Sequence, residues 1–77
     1  MSVAEKVKAV MALSGRKQQE LAEHYGMSKQ SMSNKFAQSR FSADDLIRIA
    51  EFTGCRVGFV LPDGQQVLLE ASDIRAD

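Results

Sequence analysis

A glycine at position 26 separates two short segments whose apolar residues recur at helical spacing, and this feature constrains the fold more than any other. The apolar positions are Leu21, Ala22, Tyr25, Met27, Met32 and Phe36. Gly26 stands where a helix commonly ends in a left-handed residue, and Ser28 follows as a good N-cap for the next helix. The pattern therefore predicts two short helices that are joined by a tight turn and share one core.

The outer face of the second helix is predicted to be polar. Its outward side chains are Lys29, Gln30, Ser31, Ser33 and Asn34. Asn and Gln can bridge an adenine edge, Lys can reach guanine, and Ser suits either base. Residues 27–41 contain no Asp or Glu, whereas a structural surface helix often pairs Glu with Lys. An ordinary solvated face is the alternative, but the pattern favours a helix-turn-helix whose five outward residues read bases in the major groove.

The charges are distributed unevenly, although the net charge of the whole chain is zero. Residues 16–40 contain five basic and two acidic residues, a net charge of +3. From residue 41 onward three basic residues oppose seven acidic ones, a net charge of −4. Such a chain can present a basic face to phosphates and hold its acidic part away. Chance segregation in a short chain is the alternative.

Two segments follow a known order of residue types. Residues 17–36, KQQELAEHYGMSKQSMSNKF, contain a Gln, then Glu-Leu-Ala, then Gly, an apolar residue, Ser and a polar helix. Residues 41–54, FSADDLIRIAEFTG, supply the next helix. Here the chain resembles the phage repressor and Cro-like helix-turn-helix family (the XRE group), over about residues 7–54. The resemblance implies a compact four-helix, lambda-repressor-like domain that binds double-stranded DNA.

A second set of residues is expected to contact DNA phosphates. The resemblance implies this role for Gln18, and a helix N-terminus does offer free N–H groups to an anion. The chain departs from the family at Arg16 and at Lys17, which stands where a Thr or Ser cap is usual; both departures add positive charge. Phosphate contacts fix register and carry affinity rather than sequence choice. The predicted set is Lys17, Gln18, Lys35, Gln38 and Arg40.

The remaining pattern predicts a mainly α single domain, residues 1–77. A helical core spans 3–54, with a first helix at about 3–14 after a Ser2 N-cap, and a fourth helix that Ser42 caps and Gly54 ends. A β-hairpin is expected at 55–70, because Pro62-Asp63-Gly64 is a strong turn signal between two apolar runs. Residues 71–77 are expected to form a polar tail.

The hairpin is too apolar to be exposed on both sides, so it is the predicted dimer contact. One face would carry Val57, Phe59, Leu61, Val67 and Leu69, and the other would carry Val60 and Leu68. An isolated hairpin is barely stable in water, and uncovered apolar edges mark interaction sites. The alternative is that both faces are covered within one subunit.

Together these features predict a sequence-specific transcriptional regulator. The predicted protein is a repressor that binds a palindromic operator as a homodimer through the helix 28–37. The alternative is a protein-binding adaptor or antitoxin module on the same fold, with a protein partner. No enzyme is expected, and no cofactor or metal, because the sequence has no glycine-rich phosphate loop and no cluster at metal-ligand spacing. No membrane segment or signal peptide is visible, and a single cysteine cannot form an internal disulfide, so a cytoplasmic location is expected. That cysteine, Cys55, is expected to be a small buried thiol.

Overall fold

The computed structural model describes residues 1–74 and contains four helices and one hairpin, as the sequence predicts. The helices are α1 (Val3–Leu13), α2 (Gln18–Tyr25), α3 (Lys29–Ala37) and α4 (Ala43–Thr53). The strands are β1 (Val57–Val60) and β2 (Gln66–Leu69), and a short 3₁₀ helix (Ala71–Asp73) follows them. That 3₁₀ helix lies inside the expected polar tail, of which residues 75–77 lie outside the described residues. Backbone contacts group the chain into a first unit, Met1–Phe41, and a second unit, Ser42–Asp77.

The first unit buries four of the six apolar positions that the helical spacing predicts, whereas Tyr25 and Met27 are only half-buried. Leu21 is 1% exposed and Met32 is 0% exposed, so both side chains are fully enclosed. The other buried side chains are Ala4, Val7 and Met11 on α1, Ala22 on α2 and Phe36 on α3. Phe36 also meets Phe41 edge to face, with ring centroids 5.1 Å apart. The core therefore fixes which face of α3 points outward.

The turn between α2 and α3 follows the predicted chemistry. Gly26 adopts φ 69°, a left-handed conformation that costs glycine little. The N–H of Met27 then donates to the carbonyl of Ala22 at 2.9 Å, which satisfies a free carbonyl at the end of α2. Ser28 caps α3 by accepting a hydrogen bond from the N–H of Ser31 at 3.1 Å. These local bonds set the start of the outward-facing helix.

In the second unit, α4 begins with a reciprocal cap. The Ser42 hydroxyl accepts from the N–H of Asp45 at 3.1 Å, and the Asp45 carboxylate accepts from the N–H of Ser42 at 2.9 Å. This is the capping box that the sequence predicts. Ile47, Ile49 and Ala50 are the buried apolar residues of α4. The helix contacts both β1 and the 3₁₀ helix, so the base of the hairpin packs against it.

The hairpin is antiparallel, and its register pairs Val57 with Leu69 and Phe59 with Val67. A hydrogen bond of 2.7 Å from the N–H of Leu61 to the carbonyl of Gln65 closes the turn. Because paired residues share a face of a two-stranded sheet, these four side chains lie on one face and Val60 on the other, as expected. Val57, Leu68 and Leu69 are half-buried near the base, whereas the distal residues are exposed.

Candidate nucleic-acid interface

The outer face of α3 carries all five of the predicted base-reading residues. With Met32 and Phe36 buried, this face is turned away from the core of the first unit. Lys29, Gln30, Ser31, Ser33 and Asn34 are all exposed. The helix has no acidic residue in its first turn, and Lys35 lies in its last turn, where a cation favours the helix dipole. The face therefore offers amide, hydroxyl and ammonium groups without a competing carboxylate of its own.

Side-chain hydrogen bonds connect several of these residues. The Gln30 amide Nε2 donates to the Asn34 Oδ1 at 3.1 Å, one turn further along α3. The Gln18 amide Nε2 donates to the Ser33 hydroxyl at 3.3 Å, which joins the start of α2 to the middle of α3. The Ser28 and Ser31 hydroxyls lie 3.0 Å apart. The interface is thus partly ordered by bonds between its own polar groups.

The start of α2 carries the predicted phosphate residues Lys17 and Gln18. Lys17 occupies the N-cap position without a side-chain cap, and its N–H donates instead to the Glu20 carboxylate at 3.0 Å. Arg16 faces the other oxygen of Glu20 at 3.5 Å in an exposed ion pair. Surface pairs of this kind contribute little to stability. Arg16 and Lys17 therefore outnumber the one carboxylate at this helix end.

A shallow groove beside α3 brings together residues from the predicted base-reading set and the predicted phosphate set. Its lining consists of Met27, Ser31, Asn34, Lys35, Gln38 and Arg40. Gln38 and Arg40 are exposed, and the Lys35 ammonium lies 5.5 Å from the centre of the Phe41 ring. That cation–π contact positions a positive charge at the end of α3.

Three further residues, which the sequence did not predict as site residues, line grooves at this candidate interface. Met27 lines the groove beside Asn34, and an apolar side chain there can contact a thymine methyl group. Gln19 lines a second small groove with Gln18 and Lys29. Lys8 of α1 lies with Arg16 and Gln18 around a third. The apolar type of Met27 indicated core, and Lys8 is remote in sequence, so only the folded structure reveals either residue.

Ser39 ties the loop after α3 to the start of α1. It has φ 50°, a left-handed value that is rare for a residue other than glycine. The N–H of Arg40 donates to the carbonyl of Lys35 at 3.0 Å, the bond that normally follows a left-handed glycine at a helix end. The Ser39 hydroxyl accepts from the N–H of Ala4 at 3.1 Å. Ser39 therefore positions Gln38 and Arg40.

Replacing Ser39 with alanine is expected to lower the free energy of unfolding by about 1 kcal/mol, because the Ala4 N–H loses its partner. Ser39→Gly loses the same bond but relieves the positive φ, so it should be the more stable of the two variants by roughly 1 kcal/mol. Urea denaturation of the three proteins measures this order. Equal stability of Ser39→Ala and the unmodified protein would show that the bond contributes nothing.

Two features, a metal-binding cluster and a membrane-spanning helix, are absent from the residues that the structure describes. Among residues 1–74 no group of three His, Cys, Asp or Glu side chains could hold a metal ion. Within the same residues no helix is both long and apolar enough to cross a membrane. Cys55 is exposed, so the expectation of a buried thiol is wrong. The residue follows the end of α4, where the base of the hairpin leaves it uncovered.

A family model described as the bacteriophage CI repressor helix-turn-helix domain matches residues 7–62. The match includes all four helices, apart from the first residues of α1, and it reaches through β1 into the turn. No curated protein and no solved structure matches the chain. Because the family match covers more than half of the sequence, the chain belongs to the bacteriophage CI repressor helix-turn-helix family of DNA-binding regulators.

Proposed function

We propose that this protein is a transcriptional repressor that binds a palindromic operator as a homodimer, with α3 in the major groove. The observation that carries the proposal is the exposed, acid-free face of α3, which shares a groove with the cationic residues Lys35 and Arg40. The description of the matching family supports the role of repressor.

Base reading is assigned to the exposed side chains of α3. The amide groups of Gln30 and Asn34 can each pair with the N6 and N7 atoms of adenine, and Lys29 can donate to guanine. Ser31 and Ser33 add hydroxyl groups that can donate or accept. Because these groups stand on a helix that a fully buried Met32 anchors, the helix that carries them is held in one orientation before DNA arrives.

Phosphate binding is assigned to the two ends of the helix-turn-helix. Lys17 and Gln18 lie at the start of α2, where the helix dipole attracts anions. Lys35, Gln38 and Arg40 lie at the end of α3 and in the following loop. These groups supply affinity that does not depend on sequence and that weakens as salt rises.

The hairpin is the proposed dimer contact. Phe59 is 68% exposed, Val60 71% and Val67 57%, and these residues lie on both faces of the two strands. A two-stranded sheet also has two unpaired edges, which invite another strand. A second copy of the chain, carrying the same patch, would cover the face of Phe59 and Val67 by a symmetric contact. A dimer that reads two half-sites of an operator needs its two α3 helices about one DNA turn (~34 Å) apart.

Two alanine variants separate base reading from phosphate binding. Asn34→Ala is expected to relax the base preference at one position of the operator by about 1–3 kcal/mol and leave the rest of the motif intact. Arg40→Ala is expected to weaken all sequences alike and to reduce the slope of affinity against salt by about one. Selection from a random duplex pool, followed by titration at two salt concentrations, measures both effects.

Arg48→Ala is the matched control for Arg40, because Arg48 is an exposed arginine on α4 with no assigned contact. It should leave affinity and salt slope unchanged. If Asn34→Ala bound operator and random DNA with an unchanged ratio, the assignment of Asn34 to base reading would be wrong.

A protein-binding adaptor or antitoxin module is the second candidate, and the exposed apolar hairpin is the observation that favours it. The two candidates respond differently to salt, because phosphate binding weakens steeply with ionic strength whereas apolar docking does not. Absence of DNA binding at low salt would favour the adaptor. Steeply salt-dependent binding with an enriched motif would favour the repressor.

A further inference from the structure

Gln30 and Asn34 are joined in a way that independent base-reading residues would not be. Both side chains are exposed and lie four residues apart on α3, on one face of the helix. Yet the Gln30 Nε2 donates to the Asn34 Oδ1 at 3.1 Å. An exposed amide normally bonds to water and turns freely, whereas this bond favours one orientation of the Asn34 amide before DNA binds.

We infer that Gln30 and Asn34 read DNA as one hydrogen-bonded unit, in which Gln30 determines the base that Asn34 prefers. The inference rests on the proposed function, since it concerns the same face of α3. It goes further by making Gln30 a positioning residue for its neighbour, as well as a base-reading residue itself.

The numbers of donors and acceptors allow this arrangement. A side-chain amide has two N–H donors and an oxygen with two lone pairs. The bond between the two residues uses one donor of Gln30 and one lone pair of Asn34. Each residue keeps a free donor and a free acceptor, which is the pair that adenine N7 and N6–H require. The unit therefore favours adenine at the position of each residue.

The spacing fits neighbouring base pairs. Four residues of an α-helix rise about 6 Å, and stacked base pairs are about 3.4 Å apart. Gln30 and Asn34 should consequently reach base pairs that are one or two steps apart. The bond from Gln18 to Ser33, on the residue next to Asn34, further restricts this part of α3.

The test is to change Gln30 and to measure the base preference at the position that Asn34 reads. Gln30→Glu replaces the donor with an acceptor, so the Asn34 amide must turn over and donate to the new carboxylate. Its outward donor and acceptor then exchange places, and the preferred base at the Asn34 position should change by at least about tenfold in relative affinity. Gln30→Met removes the bond without reversing it, so the preference there should weaken by about tenfold.

The control variant makes the same Gln→Glu exchange at another exposed residue near the end of α3. Gln38→Glu places an equal charge at the end of α3, and it should lower affinity for all sequences alike without changing the preferred base. Because each result is a ratio between sequences for one protein, a uniform loss from the added charge cancels. The Asn34 position itself is identified from the Asn34→Ala variant.

The outcomes distinguish this inference from the proposed function. A changed preference at the Asn34 position in Gln30→Glu, with a weakened one in Gln30→Met, supports the coupled unit. The Gln30 variants could instead change the base preference only at the position that Gln30 reads and leave the preference at the Asn34 position unchanged. That result overturns the coupled unit but leaves the proposed function as a base-reading repressor intact. An unmodified protein that selects no sequence overturns both. All of these variants should fold, because Gln30, Asn34 and Gln38 are all exposed.

Discussion

Replacing Phe59 with lysine is expected to convert the protein to a monomer and to weaken operator binding by about 100- to 10,000-fold. The loss arises because two linked half-site contacts bind far more tightly than one. Phe59 is 68% exposed, so the fold does not depend on it, whereas a dimer would bury it together with its cross-strand partner Val67. Lysine adds a positive charge, which by itself strengthens binding to DNA phosphates. A weaker complex with the operator would therefore reflect the loss of the second protein chain. Sedimentation equilibrium and titration with a two-half-site duplex measure both effects.

Leu13→Lys is the matched control, because Leu13 is 89% exposed at the end of α1. It makes the same exchange of an apolar residue for a cation outside the hairpin. A lysine at a helix C-terminus is also favourable to the dipole. This variant should keep the dimer and bind the operator at least as tightly as the unmodified protein. A Phe59→Lys protein with the mass of a dimer, or an unmodified protein with the mass of one chain, would contradict the hairpin contact.

The hairpin shows how far local sequence patterns can predict structure. The strands, the turn at residues 62–64 and the division of apolar residues between two faces follow from β-propensity and turn chemistry. The pattern could not tell that Val57, Leu68 and Leu69 would be half-buried while Phe59 and Val60 stay exposed. That difference depends on α4, which contacts the base of the hairpin, and such a contact leaves no periodic signal.

The candidate interface on α3 likewise has features that the sequence predicts and features that it does not. Burial of Met32 and Phe36 at helical spacing was enough to predict which side chains face outward. The bond from Gln18 to Ser33 joins residues that are 15 positions apart, and the left-handed Ser39 depends on the N–H of Ala4, 35 positions away. Local propensities contain no information about such partners. Serine at a position that normally requires glycine is explained only when its hydrogen bond is known.

Replacing Met32 with alanine is expected to lower the free energy of unfolding by about 2–5 kcal/mol. Met32 is 0% exposed in the centre of α3, so alanine would remove apolar contacts and leave a cavity that helices on a small core cannot fully close. Domains of this size have only about 5–15 kcal/mol of stability in total. Each kilocalorie shifts the melting temperature by roughly 4–8 °C, so a fall of about 10 °C or more should appear in thermal unfolding.

The position of Met32 also links this loss to function. It stands between Ser31 and Ser33, two of the proposed base-reading residues, and its burial determines the rotation of α3 about its axis. Met32→Leu conserves the volume and should cost less than about 1.5 kcal/mol, with operator preference unchanged. Met32→Ala should lose operator affinity even below its melting temperature, because a loosened helix no longer fixes Gln30 and Asn34. An alanine variant as stable as the leucine variant would mean that Met32 does not anchor the reading helix.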